Sequence, residues 1–138
     1  FLEAWRFGQR NESDIQLGWL YEQREDYAQA QRYYLHAIGR GNSYAHWSLG
    51  LMHRYGRGVP VNHGKARGHL QIACEAGFES AYLTLAELLL DDEHSQEEAL
   101  DWLQKAVTAE VPGARELAEE LLQQQKKPSL LSRLFGKQ

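Results

Sequence analysis

The stretch Tyr55–Leu70, YGRGVPVNHGKARGHL, carries four glycines and a Gly-Lys pair, the ingredients of a phosphate cradle. Such a loop needs a glycine, four residues and then Gly-Lys-Ser/Thr after a strand. Backbone N–H groups, the lysine and a metal-binding hydroxyl then converge on the anion. Here five residues separate Gly58 from Gly64-Lys65, Ala66 supplies no hydroxyl, and a helical pattern precedes the loop. The phosphate reading fails on spacing and on context.

The six histidines are His36, His46, His53, His63, His69 and His94. His46 and His53 stand seven apart and share one helix face, whereas ligation from a single helix generally uses a spacing of four. With no cysteine or carboxylate placed beside them as further ligands, no metal site is expected. His46, His53 and His69 fall at packing positions and read as partly buried, hydrogen-bonded rings in place of aromatics. A pH-sensitive cluster in the same stretch is the competing reading, because histidine titrates near neutrality. Cys74 has no positioned base in the pattern and reads as a small buried hydrophobe. The acidic run DDEHSQEE (91–98) reads as a solvated corner and helix start, where acids favour the helix dipole. No catalytic residue and no cofactor are expected.

What must position these side chains follows from the rest of the chain. Its 138 residues are 43% hydrophobic and 25% charged, suited to one domain with a buried core. The net charge is −4, but residues 123–138 carry +4, so residues 1–122 carry −8. An acidic body argues against nucleic acid as the partner. A single cysteine cannot form an internal disulfide and leaves the compartment open. No apolar run approaches the roughly 20 residues of a membrane span, and no signal peptide is visible. The chain opens on Phe1 rather than Met, which leaves room for a removed or omitted N-terminal segment.

A repeat organises the sequence. Ser13 leads to Leu17-Gly18, Ala45 to Leu49-Gly50, and Ala81 to Leu85-Ala86, with Ala114 opening a partial fourth copy; the spacings are 32, 36 and 33. Ala30, Ala66 and Ala99 are each followed after seven residues by Ala37, Ala73 and Ala106. Small residues at fixed positions let paired helices approach closely, and the residues between them recur at helical spacing. Seven principal helices are expected, near 12–23, 26–40, 43–55, 62–76, 78–90, 95–109 and 112–126. Asp26, Asn62 and Ser95 are placed to cap second helices, Gly41 and Gly77 to close them, and Pro112 to open the last. Residues 1–12, with Leu2, Trp5 and Phe7, read as an N-terminal cap or the end of a preceding segment. Residues 13–127 read as the repeat domain and 128–138 as a basic amphipathic tail.

Ala45 to Gly77, AHWSLGLMHRYGRGVPVNHGKARGHLQIACEAG, resembles a Sel-one-like repeat, a branch of the tetratricopeptide-repeat superfamily. The residues that carry the likeness are Ala45, Leu49-Gly50, Tyr55-Gly56, Gly58-Val59, Asn62, Lys65-Ala66, His69, Ala73 and Gly77. Asn62 stands for the usual Asp and His69 for an aromatic. Repeat one is closer to an ordinary tetratricopeptide repeat, and repeat three lacks Gly-x-Gly. The resemblance implies an all-α fold, a right-handed α-solenoid of about three helix-turn-helix repeats with a C-terminal capping helix. It further implies a concave face that binds proteins. The family's inward positions fall on Ile15, Trp19, Glu22, Tyr44, Trp47, Leu51, Arg54, Tyr55, Leu83, Glu87 and Leu90. Of these, Ile15, Trp19, Tyr44, Trp47, Leu51, Arg54, Tyr55, Leu83 and Glu87 are the candidate partner-binding residues, rich in the Trp, Tyr and Arg of binding hot spots.

The function implied is a non-enzymatic adaptor or scaffold for a protein or peptide partner. Bacterial relatives also suggest an immunity protein that inhibits an effector toxin. A hydrolase is the rival class, disfavoured because the family members proposed to be hydrolytic are cysteine-rich. The tail PSLLSRLFGKQ sets Leu130, Leu131, Leu134 and Phe135 on one side of a short helix, with Arg133 and Lys137 elsewhere. It reads as a solenoid cap, a frayed end, or a weak contact with an anionic membrane or partner.

Overall fold

The computed structural model describes residues 2–124, with side chains described from residue 13 onward. Seven α-helices and a short 3-10 turn make up the described residues, with no strand among them: α1 (Leu2–Gln23), α2 (Tyr27–Ile38), α3 (Ser43–Tyr55), α4 (His63–Glu75), α5 (Glu79–Leu90), the turn Glu93–Ser95, α6 (Gln96–Thr108) and α7 (Ala114–Gln123). Consecutive helices pair as hairpins, α1 with α2, α3 with α4 and α5 with α6. The fold is an all-α solenoid. The described residues divide into two compact units, one up to Ala76 and the other from Gly77 onward. No helix among the described residues is long and apolar enough to cross a membrane.

In the first unit the core is Ala30, Tyr34, Ala37, Ala45, Leu49 and Met52, with Ile15, Tyr21, Tyr27, Ile38, Tyr44 and Val59 packed on it. The Leu-Gly pairs are explained by contact. A Cβ built on Gly18 would lie 2.6 Å from the Tyr34 ring, and one on Gly50 would lie 2.7 Å from the Leu70 side chain. Glycine therefore lets each first helix seat the large residue of the second. In the second unit Ala86, Leu100, Leu103, Ala106, Ala114 and Ala118 form the core, with Tyr82, Leu83, Trp102, Val107, Val111, Leu117 and Leu121 against it.

The caps expected at Asp26 and Asn62 are made: their side chains accept from the backbone N–H of Gln29 and Lys65. Asn42 does the same for α3, accepting from Ala45 at 3.0 Å. Gly56 closes α3 in the left-handed region at φ 68°. Gly41 and Gly77, at φ 78° and 84°, follow α2 and α4 as expected.

Three local expectations are corrected. The helix placed at 12–23 runs from Leu2 through Gln23 without a break, because Leu2–Arg10 holds mostly good helix formers and no proline. Ser95 makes no capping bond to α6; Asp92 takes the capping role one turn earlier, accepting from the His94 N–H and the Ser95 hydroxyl. Pro112 does not open α7, which starts at Ala114. Gly113 sits at φ 89°, so helical backbone begins only after it. The tail reading at 128–138 lies outside the described residues, as do the side chains of residues 1–12.

Candidate functional site

Seven of the nine predicted partner-binding residues belong to the first unit, on α1 and α3. Trp19 is 47% and Tyr55 52% exposed, while Ile15, Tyr44, Trp47, Leu51 and Arg54 are half-buried. Ile15 and Tyr44 also pack on the core, so part of each side chain is structural. Leu83 and Glu87 belong to the second unit. Both are half-buried, and Leu83 packs on that unit's core.

Several of the first-unit residues are joined in one chain of contacts. The Trp47 ring meets Tyr44 edge-on with centroids 5.6 Å apart, and Tyr44 lies 6.3 Å from Tyr34. The fully buried Tyr34 donates its hydroxyl to the Glu22 carboxylate at 2.6 Å. The other Glu22 oxygen faces Arg57 at 3.8 Å. Arg57 and Arg54 both reach the Tyr55 ring, 5.2 and 5.0 Å from its centroid. The cations hold an exposed aromatic ring in place by their attraction to its π-face, worth about 0.5–1 kcal/mol each at such sites. Burial raises the Tyr34 phenol, with the Glu22 carboxylate adding to it, so the hydroxyl keeps its proton and stays a donor. Burial likewise raises Tyr44.

Arg57 is the member that sequence reasoning missed. It lies in the glycine corner, beyond the helix whose periodicity located the others. Its signal was the basic residue between Gly56 and Gly58, a place that looked like loop chemistry. The role of Tyr34 was also hidden, because a buried Tyr reads as packing until its hydroxyl finds a partner.

The α3–α4 seam holds the histidines. α3 turns His46, Gly50 and His53 toward α4, and α4 presents Ala66, His69 and Leu70 in return. His46 Nδ1 and His69 Nδ1 are hydrogen-bonded at 3.1 Å, one ring donating and the other accepting. The His53 ring stacks on His69 at 5.8 Å with the planes 5° apart. His53 Nδ1 is buried and has no hydrogen-bond partner. Burial holds His46 and His53 below the usual histidine range, with the Lys65 charge adding to the effect on His53. His69 is pushed down to about 4, by burial first and then by His46, His53 and Lys65. The expectation of hydrogen-bonded packing rings holds for His46 and His69 and fails for the Nδ1 of His53. Among the described residues no group of three His, Cys, Asp or Glu side chains is arranged to hold a metal ion. Cys74 is buried, as expected.

The second unit carries its own aromatic surface. Tyr82 stacks on Trp102 at 5.7 Å, and the Lys105 ammonium lies 4.2 Å from the Trp102 ring centre. Tyr82 and Lys105 also line a shallow cleft, with Glu79, Gln104, Thr108 and Ala109.

The sequence model of the Sel1 repeat matches residues 12–42, 43–78 and 81–110. An uncharacterised protein of Neisseria meningitidis serogroup B is 37% identical over 89 residues, 64% of this chain and 19% of that protein. The chain thus spans about a fifth of that relative's length. Among solved structures, a protective antigen of uropathogenic Escherichia coli displaying an SLR fold superposes with a TM-score of 0.75. It is 22% identical, over 90% of this chain and 29% of the antigen. A Sel1 repeat protein from Oxalobacter formigenes gives 0.66 at 20% identity, over 87% of this chain and 99% of its own.

Proposed function

Because the chain belongs to the Sel1 repeat family, whose members are generally protein-interaction modules, we propose that it is a non-enzymatic adaptor. Its first unit captures a helix or an extended peptide of a partner protein on the face of Trp19, Tyr44, Trp47, Leu51, Arg54 and Tyr55. One observation carries the reading. The exposed Tyr55 ring is held by Arg54 and Arg57, and Arg57 is tied through Glu22 to the buried Tyr34 hydroxyl. An aromatic side chain fixed in solvent before a partner arrives loses little freedom on binding, which is how preorganised surfaces gain affinity. Trp and Tyr also give large contact areas on few rotatable bonds, and with Arg they dominate binding hot spots.

The test is the double substitution Trp19→Ala/Trp47→Ala in a pull-down from the native host, with mass spectrometry to identify what is captured. Each truncation of a hot-spot aromatic costs about 2 kcal/mol or more, so the pair should weaken capture by at least about a hundredfold. Helical circular dichroism should be unchanged. Capture at parental strength would remove this face from the reading.

A further inference from the structure

Three imidazoles lie in one helix–helix seam, and not one is paired with a carboxylate in the contacts that define the cluster. His46 and His53 come from α3 and His69 from α4, in mutual contact through a 3.1 Å hydrogen bond and a parallel stack. The charged group acting on them from α4 is Lys65. On α3 the nearest cation in sequence is Arg54, which reaches the Tyr55 ring. α2, which also packs on α3, contributes Ala30, Tyr34 and Ala37 to the shared core, and the Tyr34 hydroxyl is taken by Glu22. His63, at the start of α4, is exposed. The charges that act on His53 and His69, from Lys65 and from the neighbouring rings, oppose an added proton.

We propose that the His46–His53–His69 stack is an acid-release latch: proton uptake by these rings shifts the α3–α4 hairpin toward an open form and so weakens the aromatic face that α3 carries. Geometry sets the mechanism. The His46–His69 bond needs one ring nitrogen to accept, and a doubly protonated pair has no acceptor left. Protonated His53 would place a charge against His69 at stacking distance, with its Nδ1–H buried and unpartnered. A buried unpaired charge costs several kcal/mol, so the seam opens and hydrates the rings instead. The backbone bond from Asn62 N–H to the His53 carbonyl, 2.9 Å long, ties the corner to the same residue and would be strained with it.

The sign follows from linkage. A ring that stays neutral when folded binds protons only after opening, so stability is present above the ordinary histidine value of 6.5 and is lost as pH falls below it. With His69 at about 4 in the closed seam, opening at pH 5 would be favoured by up to about 30-fold for that ring alone. Its partial exposure trims this toward about tenfold.

The experiment uses the full chain. Histidine Cε1 proton shifts are followed by NMR from pH 7.5 to 4.5, and amide exchange, corrected for its intrinsic pH dependence, is compared at pH 7 and 5. The expected result is three rings that titrate below 6.5 and a rise of about tenfold or more in opening of residues 43–75, with α6 amides rising less. His69→Phe keeps a ring of similar size in the seam and should flatten the pH dependence of the thermal midpoint. Rings that titrate at 6.5, or α3–α4 amides no more sensitive to acid than α6, would overturn the latch. So would a His69→Phe midpoint that falls as steeply as the parent's. Should that variant fail to fold, the titration and exchange data on the parent chain decide. The latch itself is read without any partner, so its failure is distinct from failure of the interaction face; the loss of that face on opening rests on the reading above.

Discussion

The α3–α4 and α5–α6 hairpins are copies of one repeat, yet their seams are filled by opposite means. In α3–α4 a glycine meets a leucine, Gly50 against Leu70, and three histidines line the edge. In α5–α6 the matching residues are Ala86 and Leu103, both fully buried, and the surrounding core is apolar. The corners differ as well. The first is a glycine loop with Gly56 and Gly58 at φ 68° and 72°, and the second is a 3-10 turn held by Asp92. The small-residue pattern therefore specifies how close two helices come, and leaves the chemistry of the seam open. The copy with polar rings and a longer corner is the one able to respond to its surroundings.

The largest expected effect lies in the corner unique to the first hairpin. Gly58 is in the left-handed region, and a Cβ there would stand 2.3 Å from the Tyr27 Cβ. The conformational penalty of about 1–2 kcal/mol adds to overpacking of about 1–3 kcal/mol. Gly58→Ala should destabilise the first unit by about 3 kcal/mol in denaturant titration. A loss under about 1 kcal/mol would mean that the corner moves freely relative to α2, and that the two corners are equivalent after all.

The seam glycine comes next. Gly50→Ala would press a methyl into Leu70, at a net cost of up to about 2 kcal/mol once the better helix propensity of alanine is credited. In the Leu70→Ala background that cost should vanish or reverse, because the clashing side chain is gone. The reciprocal change, Ala86→Gly, should cost about 1–2 kcal/mol with no such coupling to repacking, since it removes a buried methyl and weakens α5. Additive behaviour of Gly50→Ala and Leu70→Ala would break the account of why the first hairpin keeps glycine.

These contacts also show what was legible in the sequence. The hairpins could be read because a small residue at a helix crossing leaves a fixed mark at fixed spacing. Asn62 and Asp26 could be read because a cap acts within three residues of itself. The Tyr34–Glu22–Arg57 link could not, since it joins α2, α1 and the corner after α3, and no local period connects them. The histidine seam was half visible: the seven-residue spacing put His46 and His53 on one face, but only the packing of α4 brings His69 between them. The start of α7 was misplaced because Pro112 does suit a first helical turn, and the left-handed Gly113 that delays the helix has no signature of its own beside a proline.

The smallest effect tests how the two second helices begin. Asn62 accepts from the Lys65 N–H at 3.0 Å and has no neighbour to share the task. Ser95 occupies the corresponding place before α6 without a capping bond, and its hydroxyl instead donates to Asp92 at 2.8 Å. Asn62→Ala should therefore cost about 1 kcal/mol, the usual loss of an N-cap. Ser95→Ala should cost about half as much, because the exposed Asp92 oxygen it releases can turn to water. Urea midpoints of the two variants at pH 7.5, above the range in which the seam histidines His46, His53 and His69 take up protons, separate the cases. Equal losses would mean that the 3-10 turn is only a detour and that Ser95 still supports the start of α6. The predicted inequality would place the work of starting that helix on Asp92, and would make the two hairpins different at their entrances as well as along their seams.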